Sequence, residues 1–292
     1  MNRLSRIILP VFCLLLGTSC VRTSTIISVK KDGTGTIVSR YYFSPQMLAM
    51  IDQLGSFGGG AAAAAGSAGG PNLGILAEMA KPEEESLRKD ASNYGEGVHY
   101  TKHEAGKDEE GWQGYAVTYD FDDIRKLRID QSSVPGKAKE FVAASGQEIK
   151  NKGGNLTFAL EGDVLTVKST LASAGIDGMI DQEQLDQAKQ LGMKPSESMK
   201  MAAGMTAGMR VSFFLRAPEG IAETSAQHVT GDLIILSDAD ISKMLVDPDF
   251  GAFVDQVTEN PEAVTPSAVK ELFPKIEAMT IESSDQFTVK LK

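Results

Sequence analysis

The chain has very little cysteine. Its 2 thiols are Cys13 and Cys20, and Cys13 falls inside the amino-terminal apolar run. No pair remains for a disulfide and no thiolate set for a zinc site, so the folded part must stand on its core alone. Histidine is equally scarce. His99, His103 and His228 are too few and too scattered to argue for a metal, and no cofactor is expected. Positive charge is also in deficit, with 29 basic residues against 39 acidic ones and a formal net charge of −10. Removing residues 1–19 takes away Arg3 and Arg6 and leaves 27 against 39, a net of −12. Such a surface disfavours nucleic acid and anionic lipid faces as partners. Long apolar runs are missing as well. The stretch Ile7–Leu16 is interrupted by Pro10 and falls well short of the roughly 20 residues that span hydrocarbon.

What the amino terminus does contain is an address. Arg3 and Arg6 precede the apolar run, and Gly17-Thr18-Ser19-Cys20 follows it. A positive segment, a short apolar core and small residues at a cleavage point describe a secretory signal, and a Cys directly after them describes a lipobox. The signal peptidase accepts small side chains before the cut, and only a thiol takes the diacylglyceryl thioether. Leu16 stands four residues before the Cys, with Gly17 in the slot that Leu usually occupies. The expectation is cleavage before Cys20 and lipidation, palmitate included, at Cys20. Each buried methylene contributes roughly 0.8 kcal/mol, so two or three acyl chains hold a protein at a membrane where one would not.

After Cys20 a polar Arg22-Thr23-Ser24 passes at once into the β-branched Thr25-Ile26-Ile27-Ser28-Val29. The domain is therefore expected close to the membrane. Asp32-Gly33 suits a type I′ turn, with Thr36–Phe43 returning as the second strand of a hairpin. Ser44-Pro45 reads as a cap and first helical residue for a helix to about Leu54. Residues 55–72, almost wholly Gly, Ala and Ser, read as a flexible linker, and helices follow between 73 and 92. Strands are expected at 97–104 and 112–121, where Tyr115, Val117, Tyr119 and Phe121 form one apolar face. A second hairpin joins Leu156–Leu160 to Val164–Val167, and a third joins Ile221–Val229 to Leu233–Leu236. Helix is expected from about Asp181 to Gly208, then near 238–246, 249–257 and 266–274, with a last strand at Phe287–Leu291.

Strands and helices do not alternate as βαβ units. The fold class is accordingly α+β, a mainly antiparallel sheet of hairpins with covering helices and a flexible Gly/Ala-rich insertion. Its segments are the signal peptide 1–19, a first hairpin and helix 20–54, the linker 55–72, the remainder 73–236, and a helical extension 237–292 that ends in a strand.

Few residues look chemical. His99 and His103, four apart on a strand, stand roughly 13 Å from one another and share no metal. His228 and Asp232 form an acid–base pair across a turn in principle, without a Ser or Cys nucleophile motif beside them. Asp120, Asp122 and Asp123 are the carboxylates a hydrolase would use. The least ordinary feature is a methionine cluster. Met201, Met205 and Met209 recur every four residues, with Met199 and Met193 nearby. Thioethers can pack in a core, form an apolar ligand or lipid surface, or bind Cu(I). Met199, Met201, Met205 and Met209 are the candidate ligand surface.

The order of several turn-and-strand patterns resembles the LppM-type bacterial lipoproteins. These are Lys31-Asp32-Gly33-Thr34-Gly35, Gly111-Trp112-Gln113-Gly114-Tyr115 with Tyr119–Ile124, and Val211-Ser212-Phe213 with Ala217–Ile221 and Gly231-Asp232. The resemblance implies an anchored α+β envelope domain with a lipid or glycolipid cavity and no catalysis. The chain departs from that family in the Gly/Ala-rich insertion, the long helical tail and the lack of a carboxy-terminal membrane helix. The expected function is a membrane-anchored, non-enzymatic binding or assembly lipoprotein. A periplasmic lipid or glycolipid carrier and an envelope hydrolase are the alternatives. The expected partners are the membrane, through Cys20, and a lipid or envelope protein. With Val21 rather than Asp after the Cys, the outer membrane is favoured where there are two.

Overall fold

A computed structural model describes residues 21–56, 80–108, 110–130, 155–170, 194–204, 207–260 and 265–292. The described strands form two sheets. In the first, β1 (Val21–Val29) and β2 (Gly35–Phe43) make the amino-terminal hairpin, and β4 (Gln113–Phe121) and β3 (Val98–Lys107) extend it on one side. On the other side β8 (Arg210–Arg216) pairs with β1, followed by β11 (Leu233–Asp240), which carries both β10 (Val229–Thr230) and β12 (Met279–Ile281). The second sheet runs β5 (Arg128–Asp130), β6 (Asn155–Glu161), β7 (Val164–Ser169), β13 (Gln286–Leu291), β9 (Ile221–Thr224). Among the described pairings only β1 with β8 is parallel. The class is the α+β, mainly antiparallel one that the sequence predicts.

Period-two alternation explains the first sheet. Ile37, Tyr41 and Phe43 of β2 are buried on the face that Tyr115, Val117, Tyr119 and Phe121 of β4 share, and the register sets Ile37 against Tyr119 and Tyr41 against Tyr115. The second sheet buries Leu156, Phe158, Leu165, Val167, Phe287 and Val289. Both buried faces belong to one apolar cluster.

The first hairpin is present, with a different turn. Among the described residues no non-glycine residue has a positive φ, which excludes a type I′ turn at Asp32-Gly33. Gly33 N–H instead donates to Lys30 O, Lys30 N–H donates to Thr34 O, and Gly33 alone takes φ +86°. A three-residue loop closed by a left-handed glycine twists with the strands as well as a primed turn does. The Asp32 carboxylate accepts from Thr34 N–H and Oγ1, which lowers its pKa. The second hairpin, β6–β7, turns on Gly162 at φ +62°. The third is split. Ile221–Thr224 leaves for the second sheet and pairs with β13, and only Val229–Thr230 returns against β11.

Helix α1 (Pro45–Ser56) starts where expected, with Ser44 Oγ accepting from Met47 N–H. Helix α2 (Glu84–Asp90) runs on into a 3₁₀ turn, Ala91–Tyr94. Helix α3 (Pro195–Ala203) is shorter than the expected 181–208, of which residues 181–193 lie outside the described set. Helices α4 (Ile241–Val246), α5 (Pro248–Glu259) and α6 (Pro266–Leu272) are capped by Asp240, Asp247 and Thr265. Residues 238–240, expected as helix, end β11, because Asp240 serves as the cap. The boundary at 236 falls within β11, and the tail beyond it supplies β12 and a central strand of the second sheet. The linker expected at 55–72 lies outside the described residues from 57 onward.

Candidate functional site

β1 begins at Val21, one covalent bond from Cys20, and is paired from its first residue, Val21 with Phe43 and Arg22 with both Tyr42 and Arg210. The parallel register therefore brings Met209 to the same sheet end as Val21. Cys20 itself lies outside the described residues. Val21, the residue next to the sequence-predicted anchor, and Met209 of the methionine cluster thus share one end of the first sheet.

That end is closed by Arg22. Its Nε donates to Gly208 O at 3.1 Å, Nη1 to Asp108 Oδ2 at 3.2 Å and Nη2 to Glu110 Oε2 at 2.6 Å. The guanidinium carbon stands 4.0 Å from the Trp112 ring centroid. Trp112 is 6% exposed, and its N–H donates to Asp108 Oδ1 at 2.8 Å. The β3–β4 loop that presents these groups turns on Gly111 at φ +85°, with Gly111 N–H on Asp108 O. Gly208 has φ +79°, and a Cβ there would meet the Trp112 ring at 2.8 Å. Cation–π contact and charge-assisted hydrogen bonds with partly screened partners contribute roughly 1–2 kcal/mol to such a clamp. Bonded through Nε, Nη1 and Nη2 to three acceptors, Arg22 holds the geometry of this end.

The methionines do not form one stripe. Met199 on α3 packs against the core, but α3 ends at Ala203, and Gly208 in the left-handed region separates Met209 from it. Met209 opens β8, half-buried, and its carbonyl accepts from Ile241 N–H. The four-residue period therefore does not carry Met201 and Met209 on a single helix. Met193, Met205 and the side chain of Met201 lie outside the described set.

The other candidates disperse. His99 faces Asp122 at 3.4 Å on an exposed part of β3, and His103 Nδ1 is 2.7 Å from Tyr100 Oη. Asp232 pairs with Arg216 Nε at 2.8 Å, while the His228 carbonyl accepts from Ile235 N–H. Asp123 caps the turn Ile124–Lys126, and the hydrogen bond from Arg125 holds its carboxyl below the usual range. Among the described residues no group of three His, Cys, Asp or Glu could hold a metal, and no helix is long and apolar enough to cross a membrane. A concavity of about 340 Å³ between α5 and α6 is lined by Phe253, Val257, Leu272, Asp249, Glu271 and Lys275.

A second cluster, legible only as alternation, fills the core beneath α2. Ser39 Oγ links Thr25 Oγ1 and Tyr94 Oη at 3.1 Å each, and Tyr119 Oη donates to Leu87 O at 3.2 Å. Tyr41 stacks on Tyr115 and Tyr94 on Tyr119, both with ring centroids 5.2 Å apart. Burial pushes all four phenols above their ordinary pKa, most strongly at Tyr41, Tyr115 and Tyr119. They are kept as neutral donors inside the fold.

No protein-family model matches the chain, and no curated protein does. Among solved structures it is similar to the NMR structure of the folded domain of Mycobacterium tuberculosis LppM, at 11% identity and a TM-score of 0.26, over 75% of this chain and 81% of that one. The likeness is loose.

Proposed function

We propose that this chain is a bacterial envelope lipoprotein, held at the membrane surface by lipid on Cys20, whose folded part is a non-enzymatic binding or assembly module facing the periplasm. One observation carries the reading. A charged segment, a short apolar run and a small-residue cleavage site end at a Cys, and a paired strand starts on the next residue. A secreted domain with two or three acyl chains needs no membrane helix to stay at the bilayer. The non-enzymatic half is supported by the dispersal of the histidines, with His99 facing Asp122, His103 facing Tyr100 and Asp232 held by Arg216. The outer membrane is the favoured location where two membranes exist, because Val21 follows the Cys.

Intact-mass analysis of the processed protein and fractionation of cells expressing the wild type and Cys20→Ser test the anchor. The expected mass lacks residues 1–19 and carries a diacylglyceryl and an acyl group, with wild type in the membrane fraction and Cys20→Ser out of it. An unmodified amino terminus, or unchanged partitioning of the variant, overturns the reading.

A further inference from the structure

We propose that the domain stands end-on at the bilayer, with the Arg22–Trp112–Met209 end of the first sheet seated in the phospholipid headgroups. The proposal rests on the lipid-anchor reading.

The argument begins with the missing slack. Consecutive Cα atoms are about 3.8 Å apart, so a lipid thioether on Cys20 places Val21 at the membrane surface. Val21 cannot act as a tether, because it is registered against Phe43 and its neighbour Arg22 is paired on both sides. Arg22 is further fixed by Gly208, Asp108 and Glu110. The headgroup zone is about 5–8 Å deep on each side of the hydrocarbon, and a strand rises about 3.3 Å per residue. Whatever lies level with residues 21 and 22 therefore lies in that zone. Those groups include Val21, Arg22, Asp108, Glu110, Trp112, Gly208 and Met209.

The chemistry of this end suits a zwitterionic surface. Arg22 is paired with both Asp108 and Glu110, Arg210 with Asp238, and Lys243 with Asp240, so these pairs carry both signs with one excess carboxylate. Paired charges of both signs satisfy phosphate and ammonium together and gain little from anionic lipid, in keeping with the acidic chain. The apolar contribution is modest. Met209 is half-buried and Val211, two strand residues deeper, is 40% exposed, enough for shallow contact and too little to bind without an acyl chain.

Trp112, 1 of 1 in the chain, reports on this end. A chain starting at Cys20 keeps every described contact and has Cys20 as its sole thiol, so it can be coupled to maleimide-phosphatidylethanolamine in phosphatidylcholine vesicles. Coupling by chemistry makes the result independent of whether a cell lipidates Cys20. Headgroup spin label should cut Trp112 emission at least twofold, while a label at the acyl-chain terminus leaves it unchanged. A Gly/Ser insert of about 15 residues after Cys20, which gives an r.m.s. reach of about 20 Å, should abolish the effect. Quenching should persist in high salt. Weak, equal quenching with and without the insert would overturn the end-on seat, and so would quenching that disappears with salt.

Discussion

The two ends of the first sheet are built by different means. At the far end the chain reverses in short loops whose decisive contacts are only a few residues apart: Gly33 at φ +86° and Gly231 at φ +64°, with Asp32 bonded to Thr34. At the anchor end Arg22 reaches Asp108, Glu110 and Gly208 across 86, 88 and 186 residues. Local turn chemistry folds early and tolerates change. A long-range clamp forms only when the whole sheet is assembled, so it reports assembly at the place where the chain would meet its membrane.

The comparison concerns turns, and strand packing should override it. Gly35 lies at the far end and Gly114 at the near end. A Cβ at Gly35 would collide with Ser28 O and the Phe121 ring, and one at Gly114 with Tyr41 O. In both cases the obstacle includes backbone of a paired strand, which cannot give. Gly35→Ala and Gly114→Ala are each expected to cost about 3 kcal/mol by urea denaturation. These are the largest effects and should be alike at the two ends. A cost below about 1 kcal/mol at either would show that the strands there separate more easily than the register implies.

Between the ends the phenol cluster makes stability depend on pH. Tyr41, Tyr94, Tyr115 and Tyr119 have folded pKa values raised chiefly by burial, while the unfolded chain ionises near pH 10. The folded state therefore holds protons that the unfolded state releases. The stabilisation is complete below about pH 10 and is lost as pH rises beyond it. Phenolate absorbance from these residues should appear together with loss of near-ultraviolet circular dichroism, as one cooperative transition. Tyr119→Phe should lose about 1 kcal/mol at neutral pH with its bond to Leu87 O and should shallow the alkaline slope. Gradual phenolate formation with the dichroism intact would show that the cluster is open to water.

The sequence made legible what is periodic or local. Alternation in Thr36–Phe43 and Tyr115–Phe121, the Ser44-Pro45 helix start and the glycine turns all express physics within about ten residues, and the structure has them. The third hairpin failed because Ile221–Thr224 finds a better partner in β13, some 65 residues later, than across the nearby turn. The four-residue spacing of Met201 and Met209 does not place the two on one helix, because such a spacing cannot reveal that α3 stops at Ala203. The Arg22 clamp left no local mark. Arg22, Asp108, Glu110 and Trp112 are each ordinary in their own windows, and only the parallel β1–β8 pairing brings Gly208 to them.

A difference of only about 1 kcal/mol distinguishes the ends most directly, because it separates two glycines of the same backbone conformation. Gly231 at φ +64° has nothing within 4 Å of an ideal Cβ position, whereas Gly208 at φ +79° would place its Cβ 2.8 Å from the Trp112 ring. Alanine at Gly231 therefore meets only the left-handed backbone penalty, about 1 kcal/mol, and asparagine much less. Alanine at Gly208 meets the same penalty and also displaces the indole on which Arg22 rests, for about 2 kcal/mol. Thermal denaturation should rank Gly208→Ala below Gly231→Ala, and only Gly208→Ala should shift Trp112 emission. Equal costs with an unmoved emission spectrum would mean that the indole yields freely and that the anchor end, like the far end, is held by its turns alone.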